Sequence, residues 1–202
     1  MSPGFSSRIR HTVEVIVAAF LFVLQNMPAV GPWISLMFIP LGYYLFLYFL
    51  RYPEYLGHNL LILLSPKAFL GQIVTLAGFM IFLVACVQFL GKREEIIRTG
   101  LYSVVRHPQY LGLVVMTLGL SIICIQLRSR PGVLYTWLVE VFGYVLLAWF
   151  EERHLIKEHK LKYQEYRRKT PFLFPIPSPI KIPQPIFSII ITILIVILCL
   201  LL

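Results

Sequence analysis

Arg106, His107 and Pro108 are consecutive, and Tyr110 and Gly112 follow closely. Proline suits the first turn of a helix, where its missing N–H is no loss. Arg106 and His107 therefore stand at the mouth of a helix whose free backbone N–H groups attract anions. Tyr110 lies four residues after Arg106, on the same face, and Gly112 and Gly119 are expected to leave room for something flat against that helix. Farther along, Glu151 and Glu152 are adjacent at the end of an apolar run. At a helix C-terminus they oppose the helix dipole, and at a membrane surface they are costly, so a cation is expected to meet them unless solvent alone offsets the cost. Tyr163 and Tyr166, three apart, fall on what reads as an amphipathic surface helix. Its apolar side holds Leu155, Ile156 and His159, while Lys157, Lys160, Lys162, Arg167 and Arg168 point mostly outward and suit anionic lipid headgroups.

These residues could hold a zwitterionic ligand with an aromatic base. A carboxylate would go to the Arg, His and N–H groups, an ammonium to a Glu, and the base to tyrosines and apolar side chains. S-adenosylmethionine answers that description, and so do several nucleotides. An ordinary helix start at a membrane boundary, with a solvated Glu pair, accounts for the same residue types.

The elements that must position these groups are membrane spans. Of the 202 residues, 58% are hydrophobic and 13% charged, with a mean hydropathy of +0.81, more apolar surface than one soluble core of this size can hide. Eighteen Lys and Arg face nine acids, all Glu. The absence of Asp excludes Asp-rich metal motifs, Asp-based triads and Asp-phosphate chemistry. Cys86, Cys124 and Cys199 lie singly in apolar runs and make neither a disulfide framework nor a metal site. No metal and no nucleic acid is expected as a partner.

A crossing helix needs about 20 apolar residues, and six candidates result: Thr12–Ala29, Trp33–Leu50, Pro66–Leu90, Gln109–Leu127, Val133–Phe150 and Ile186–Leu202. The fold class is thus all-α, a polytopic transmembrane bundle of about six spans. Twelve of the 18 basic residues fall in Gly91–Pro108 and Glu151–Pro185, which six alternating spans place on one side. That side is expected to be cytoplasmic, with the ligand pocket facing it. Trp33, Tyr48, Tyr52, Tyr55, Trp137 and Trp149, near span ends, fit an interfacial aromatic belt. Six prolines between Pro171 and Pro185 cannot hold a helix and suit an extended connector. The expected organisation is an N-terminal hairpin over 1–65, a core over 66–175, and a connector with a terminal anchor over 176–202.

The run Gly-Leu-Tyr-Ser-Val-Val-Arg106-His107-Pro108-Gln-Tyr110-Leu-Gly112, followed by Glu151-Glu152, Tyr163, Tyr166, Pro171 and Pro175, resembles the isoprenylcysteine carboxyl methyltransferase family, integral membrane enzymes related to the phospholipid N-methyltransferases. The resemblance covers roughly Pro66 to Pro175. It implies an S-adenosylmethionine-dependent methyltransferase acting on a lipid-embedded acceptor, most simply an isoprenylcysteine-like carboxylate. It further implies that Tyr102, His107, Pro108, Tyr110 and Gly112 line the cofactor pocket and that Glu151 and Glu152 hold polar groups of the cofactor. Arg106 and Glu152 would carry the catalysis, with Arg106, Tyr163, Tyr166 and Arg167 binding the acceptor. His159-Lys160 departs from the family's Phe-Gly pair, and Phe172 stands where the family often has an Arg, a departure that counts against a carboxylate acceptor if that Arg binds it.

Three other functions compete with this one. A phospholipid N-methyltransferase would need a route for the amine proton, through His107 or a Glu. A sterol or steroid reductase has a similar Arg-His-Pro stretch but binds NADPH, for which Arg153, Arg167 and Arg168 could serve. A non-catalytic scaffold or transport component would need polar residues lining a path, and Glu14, Gln88 and Glu140 are scattered.

Overall fold

The computed structural model describes residues 36–51, 65–91, 96–178 and 182–201. Apart from Leu36, these belong to one compact unit, Met37–Leu202. The expected first span, Thr12–Ala29, lies outside the described residues, as do Glu14 and most of the N-terminal hairpin. The described residues form helices and no strand: α1 (Phe38–Arg51), α2 (Phe69–Gly91, entered through a 3-10 turn at Pro66–Ala68), α3 (Leu101–Val104), α4 (Pro108–Arg128), α5 (Val133–Lys169) and α6 (Gln184–Leu201). Of these, α4, α5, α6 and the Pro66–Leu90 stretch are long and apolar enough to cross a membrane. The protein is an integral membrane helix bundle.

Local chemistry sets the helix ends. Pro108 occupies the first turn of α4, and Ser129, left-handed at φ 51°, closes the helix by donating its N–H to the Ile125 carbonyl. Pro131 and Gly132 follow, and α5 starts with the Leu134 N–H on the Pro131 carbonyl at 3.0 Å, so α4 and α5 form a tight hairpin. The expected Val133–Phe150 span is part of a longer element. No proline or glycine stops the chain at the membrane exit, and α5 continues to Lys169 with one break at Lys160 (φ 40°, ψ −113°). Glu151 and Glu152 are therefore inside a helix, not at its C-terminus, and the dipole argument does not apply to them.

Helices α2 and α4 meet through glycines. A Cβ on Gly78 would run into the Met116 backbone, one on Gly112 into the Phe82 backbone, and one on Gly119 into Thr75. Small residues let transmembrane backbones approach where lipid supplies no hydrophobic drive between helices. The room expected beside Gly112 and Gly119 is filled by α2, so Gly112 sets the position of α4 and offers no opening to a flat ligand.

Buried hydrogen bonds hold the other helices. The Tyr44 hydroxyl reaches the Thr117 carbonyl at 3.0 Å and Ser121 Oγ at 2.8 Å. Trp137 donates to the Val114 carbonyl and Tyr144 to the Met37 carbonyl, each at 3.0 Å. Tyr48 and Trp137 are fully buried. Neither belongs to an interfacial belt; both spend their polar atoms inside the bundle. By contrast, α2 and α6 turn many apolar side chains outward, among them Leu76, Val87, Leu194 and Leu198, as lipid-facing helices do. The inner face of α6, Ser188, Thr192 and Val196, is buried, and the helix packs along α5.

Candidate functional site at one end of the bundle

The loop before α4 is shaped by its neighbours. Gly100 takes a positive φ of 64°, Gln88 of α2 accepts the Leu101 N–H at 3.0 Å, and α3 makes a single turn. Gln88 thus caps a short helix and lines no path. The chain then returns so that the Arg106 N–H donates to the Pro171 carbonyl at 2.9 Å. Tyr166 donates its hydroxyl to the Tyr102 carbonyl, and Arg98 reaches the Lys162 carbonyl at 2.8 Å. The two basic segments of the sequence are joined at one end of the bundle.

Between them lies a buried ionic cluster. The Arg106 side chain is 0% exposed and forms an ion pair with Glu152, which is 2% exposed. His107 lies between the acids, Nδ1 at 3.4 Å from Glu151 Oε2 and Nε2 at 3.5 Å from Glu152 Oε1. Arg167 Nε is 3.5 Å from Glu152 Oε2. Three basic side chains thus surround one buried carboxylate, and removing a charge of such a cluster is far more costly than removing a surface pair. Glu151 differs: it is 24% exposed and accepts the Tyr110 hydroxyl at 3.1 Å.

Aromatic rings wall the cluster. His107 stacks on Tyr110 with centroids 5.5 Å apart and planes at 5°, and Tyr110 stacks on Tyr144 at 5.4 Å. Phe172 sets its edge against His107 at 5.2 Å and its face over the Arg106 guanidinium at 5.3 Å, a cation–π contact strengthened by burial. Burial alone would lower the His107 pKa, but the Glu151 and Glu152 carboxylates outweigh it and hold the imidazole above its ordinary value. Burial, and then the Glu151 charge, push the Tyr102 hydroxyl upward, leaving it a neutral donor.

Arg106, His107, Tyr110, Glu151, Glu152 and Arg167 thus gather in one cluster, with Tyr102 tied to it through Tyr166. Pro108 starts the helix, and Gly112 faces α2. Tyr163 and Tyr166 are buried, so they lie on the inward face of this half of α5, whose outward face leaves Lys157, Lys160, Lys162 and Arg168 exposed as expected of an amphipathic helix. Sequence reasoning missed Phe172, noted only as the absence of an arginine, and the Pro171 carbonyl. The available signal was the aromatic residue directly after Pro171, at the end of the second basic segment.

The cluster has unused bonding capacity that suits a zwitterion. Arg106 Nε and Nη2 are buried without hydrogen-bond partners among the described residues, and two such donors match a carboxylate. Glu151, partly exposed, suits an ammonium. S-adenosylmethionine carries both groups and fits this donor set. Residues 69–162, from the start of α2 to beyond Glu152, match the family model described as phospholipid methyltransferase.

Over that stretch the chain is similar to phospholipid methyltransferases. The match supports a membrane methyltransferase, a family that typically uses S-adenosylmethionine. It includes Arg106, His107, Tyr110, Glu151 and Glu152 and ends before Tyr163. No curated protein and no solved structure matches the chain.

Proposed function

We propose that the protein transfers a methyl group from S-adenosylmethionine to the amine of a membrane phospholipid, at the cytoplasmic end of the bundle. The observation that carries this reading is the occupation of Arg106. Its guanidinium is buried, paired with Glu152 and covered by Phe172, while the partly exposed polar groups of the cluster are the acid Glu151 and Arg167. An acid at the accessible edge favours a cationic or amine acceptor over a carboxylate. The family match, to phospholipid methyltransferases, supports the same choice and gives none to an NADPH reductase.

When bound, the cofactor supplies an electrophilic methyl group on a sulfonium. Arg106 Nε and Nη2 would hold its carboxylate, and the stacked rings of His107 and Tyr110 would form an aromatic floor. Glu152, pinned by Arg106, His107 and Arg167, keeps that floor in register; in-line placement alone can supply several kcal/mol of the barrier. Glu151, with Tyr110 on one oxygen, would take the proton that an amine must lose. Tyr163 and Tyr166 would close the acceptor side.

The second reading is carboxyl methylation of an isoprenylcysteine-like lipid, favoured by the same two unpaired Arg106 donors, which could orient an acceptor carboxylate. One experiment separates them. Protein in native lipid receives S-adenosylmethionine labelled on its methyl group, and the lipid extract is then treated with base. Label that stays non-volatile on the deacylated phospholipid head group supports the amine reading; label released as methanol supports the ester. No transfer to lipid contradicts both.

A further inference from the structure

A cleft of about 480 Å³ opens between the last turns of α5 and the start of α6. Its wall carries Arg167 and Arg168, the amides of Gln164 and Gln184, and the apolar side chains of Ile156 and Ile182. We propose that it binds the phosphate ester of a lipid headgroup and that, in the reading above on which this role rests, it seats the phosphate of the phospholipid acceptor.

Chemistry and position both support a phosphate. Two guanidinium groups with flanking amides match its several acceptor oxygens, and Arg is the side chain best shaped for them. Gln184 is also the first residue of α6, so the positive end of that helix dipole adds to the cleft wall. Position then selects a lipid. The apolar run of α6 begins here, which puts the cleft at the water–bilayer boundary, and Ile156 and Ile182 offer a surface to glycerol and acyl carbons.

Arg167 links the cleft to the ionic cluster. It lines the cleft, and its Nε lies 3.5 Å from Glu152 Oε2. A headgroup whose phosphate and ammonium are separated by two carbons could place the phosphate on Arg167 and Arg168 and its nitrogen toward Glu151. The polar residues of the wall, Gln164, Arg167, Arg168 and Gln184, lie beyond the matched stretch 69–162, which reaches only Ile156. This gives the connector and α6 a role: they complete a headgroup seat that α5 alone leaves open on one side.

The test begins with binding, independent of catalysis. Full-length protein is titrated by thermophoresis with dioctanoyl phosphatidic acid, dioctanoylglycerol and inorganic phosphate. Phosphatidic acid should bind most tightly, and Arg168→Gln should weaken it about tenfold, the loss of a charge-assisted contact. Lys157→Gln, an exposed charge on the same helix but outside the cleft, should leave it unchanged. No effect of Arg168→Gln, or an equal effect of Lys157→Gln, would overturn the site. Inorganic phosphate binding as tightly as the lipid would overturn the lipid assignment. In the transfer assay, Arg168→Gln should raise KM for phosphatidylethanolamine about tenfold with kcat kept, and leave KM for a phosphate-free long-chain amine alone. Equal rises for both acceptors contradict the acceptor role, whereas binding without any transfer contradicts only the methyltransferase reading.

Discussion

Helix α5 buries two glutamates, and their surroundings are opposite. Glu152 is 2% exposed and surrounded by Arg106, His107 and Arg167. Glu140 is 1% exposed in the middle of the bundle. Thr117 approaches it, but among the described residues no hydrogen bond of good geometry reaches either carboxyl oxygen. Both acids carry the cost of leaving water. Only at Glu152 has the chain assembled cations from two separate segments, Arg106 with His107 before α4 and Arg167 near the end of α5, to offset it, with an aromatic cover. Burial of an acid is therefore a poor pointer to function here; the convergence of distant segments on it is a better one.

The comparison is broken most severely by removing the cations. Arg106→Ala should leave Glu152 under-compensated, cost about 3–5 kcal/mol and abolish transfer, as read by thermal unfolding in detergent and by label incorporation. The double variant Arg106→Ala with Glu152→Gln should regain part of that stability and none of the activity. Phe172→Ala should cost about 3 kcal/mol by opening the cover over Arg106, and melting should then depend more strongly on salt.

The pH dependence sharpens the contrast further. Because the folded-state pKa of His107 lies above its ordinary 6.5, its charge contacts with the glutamates contribute fully below that value. They are lost as pH rises through the raised folded-state pKa. A melting-temperature profile should fall on that alkaline limb, and His107→Gln should flatten it. The smallest effect belongs to the other acid. Glu140→Gln, with no cation to abandon among the described residues, should change stability by within about 1 kcal/mol and leave transfer intact.

Much of the bundle was legible in the sequence because hydropathy reports directly on lipid contact. The Pro66, Pro108 and Gly132 boundaries and the start of the last span all fall within two residues of the helix ends. Hydropathy cannot see a helix that leaves the membrane and continues, so the continuation of α5 past Phe150 to Lys169, across its one break at Lys160, is missed. With it went the burial of Tyr163 and Tyr166, which depends on the return of the Tyr102 and Pro171 segments. Gly112 reads as an opening because sequence gives the missing side chain but not the neighbour, α2, that fills the space. The residues of the ionic cluster stand out by type and order; that Arg106 gives Nη1 to Glu152 and keeps only Nε and Nη2 for a ligand is a tertiary fact with no local signal.

The most direct measurement places wild type, Glu152→Gln and Glu140→Gln in phosphatidylethanolamine nanodiscs with methyl-labelled S-adenosylmethionine and counts non-volatile label on the phospholipid head group after base treatment. The account predicts label from wild type and Glu140→Gln and none from Glu152→Gln. Equal label from Glu152→Gln, or none from wild type, would contradict it.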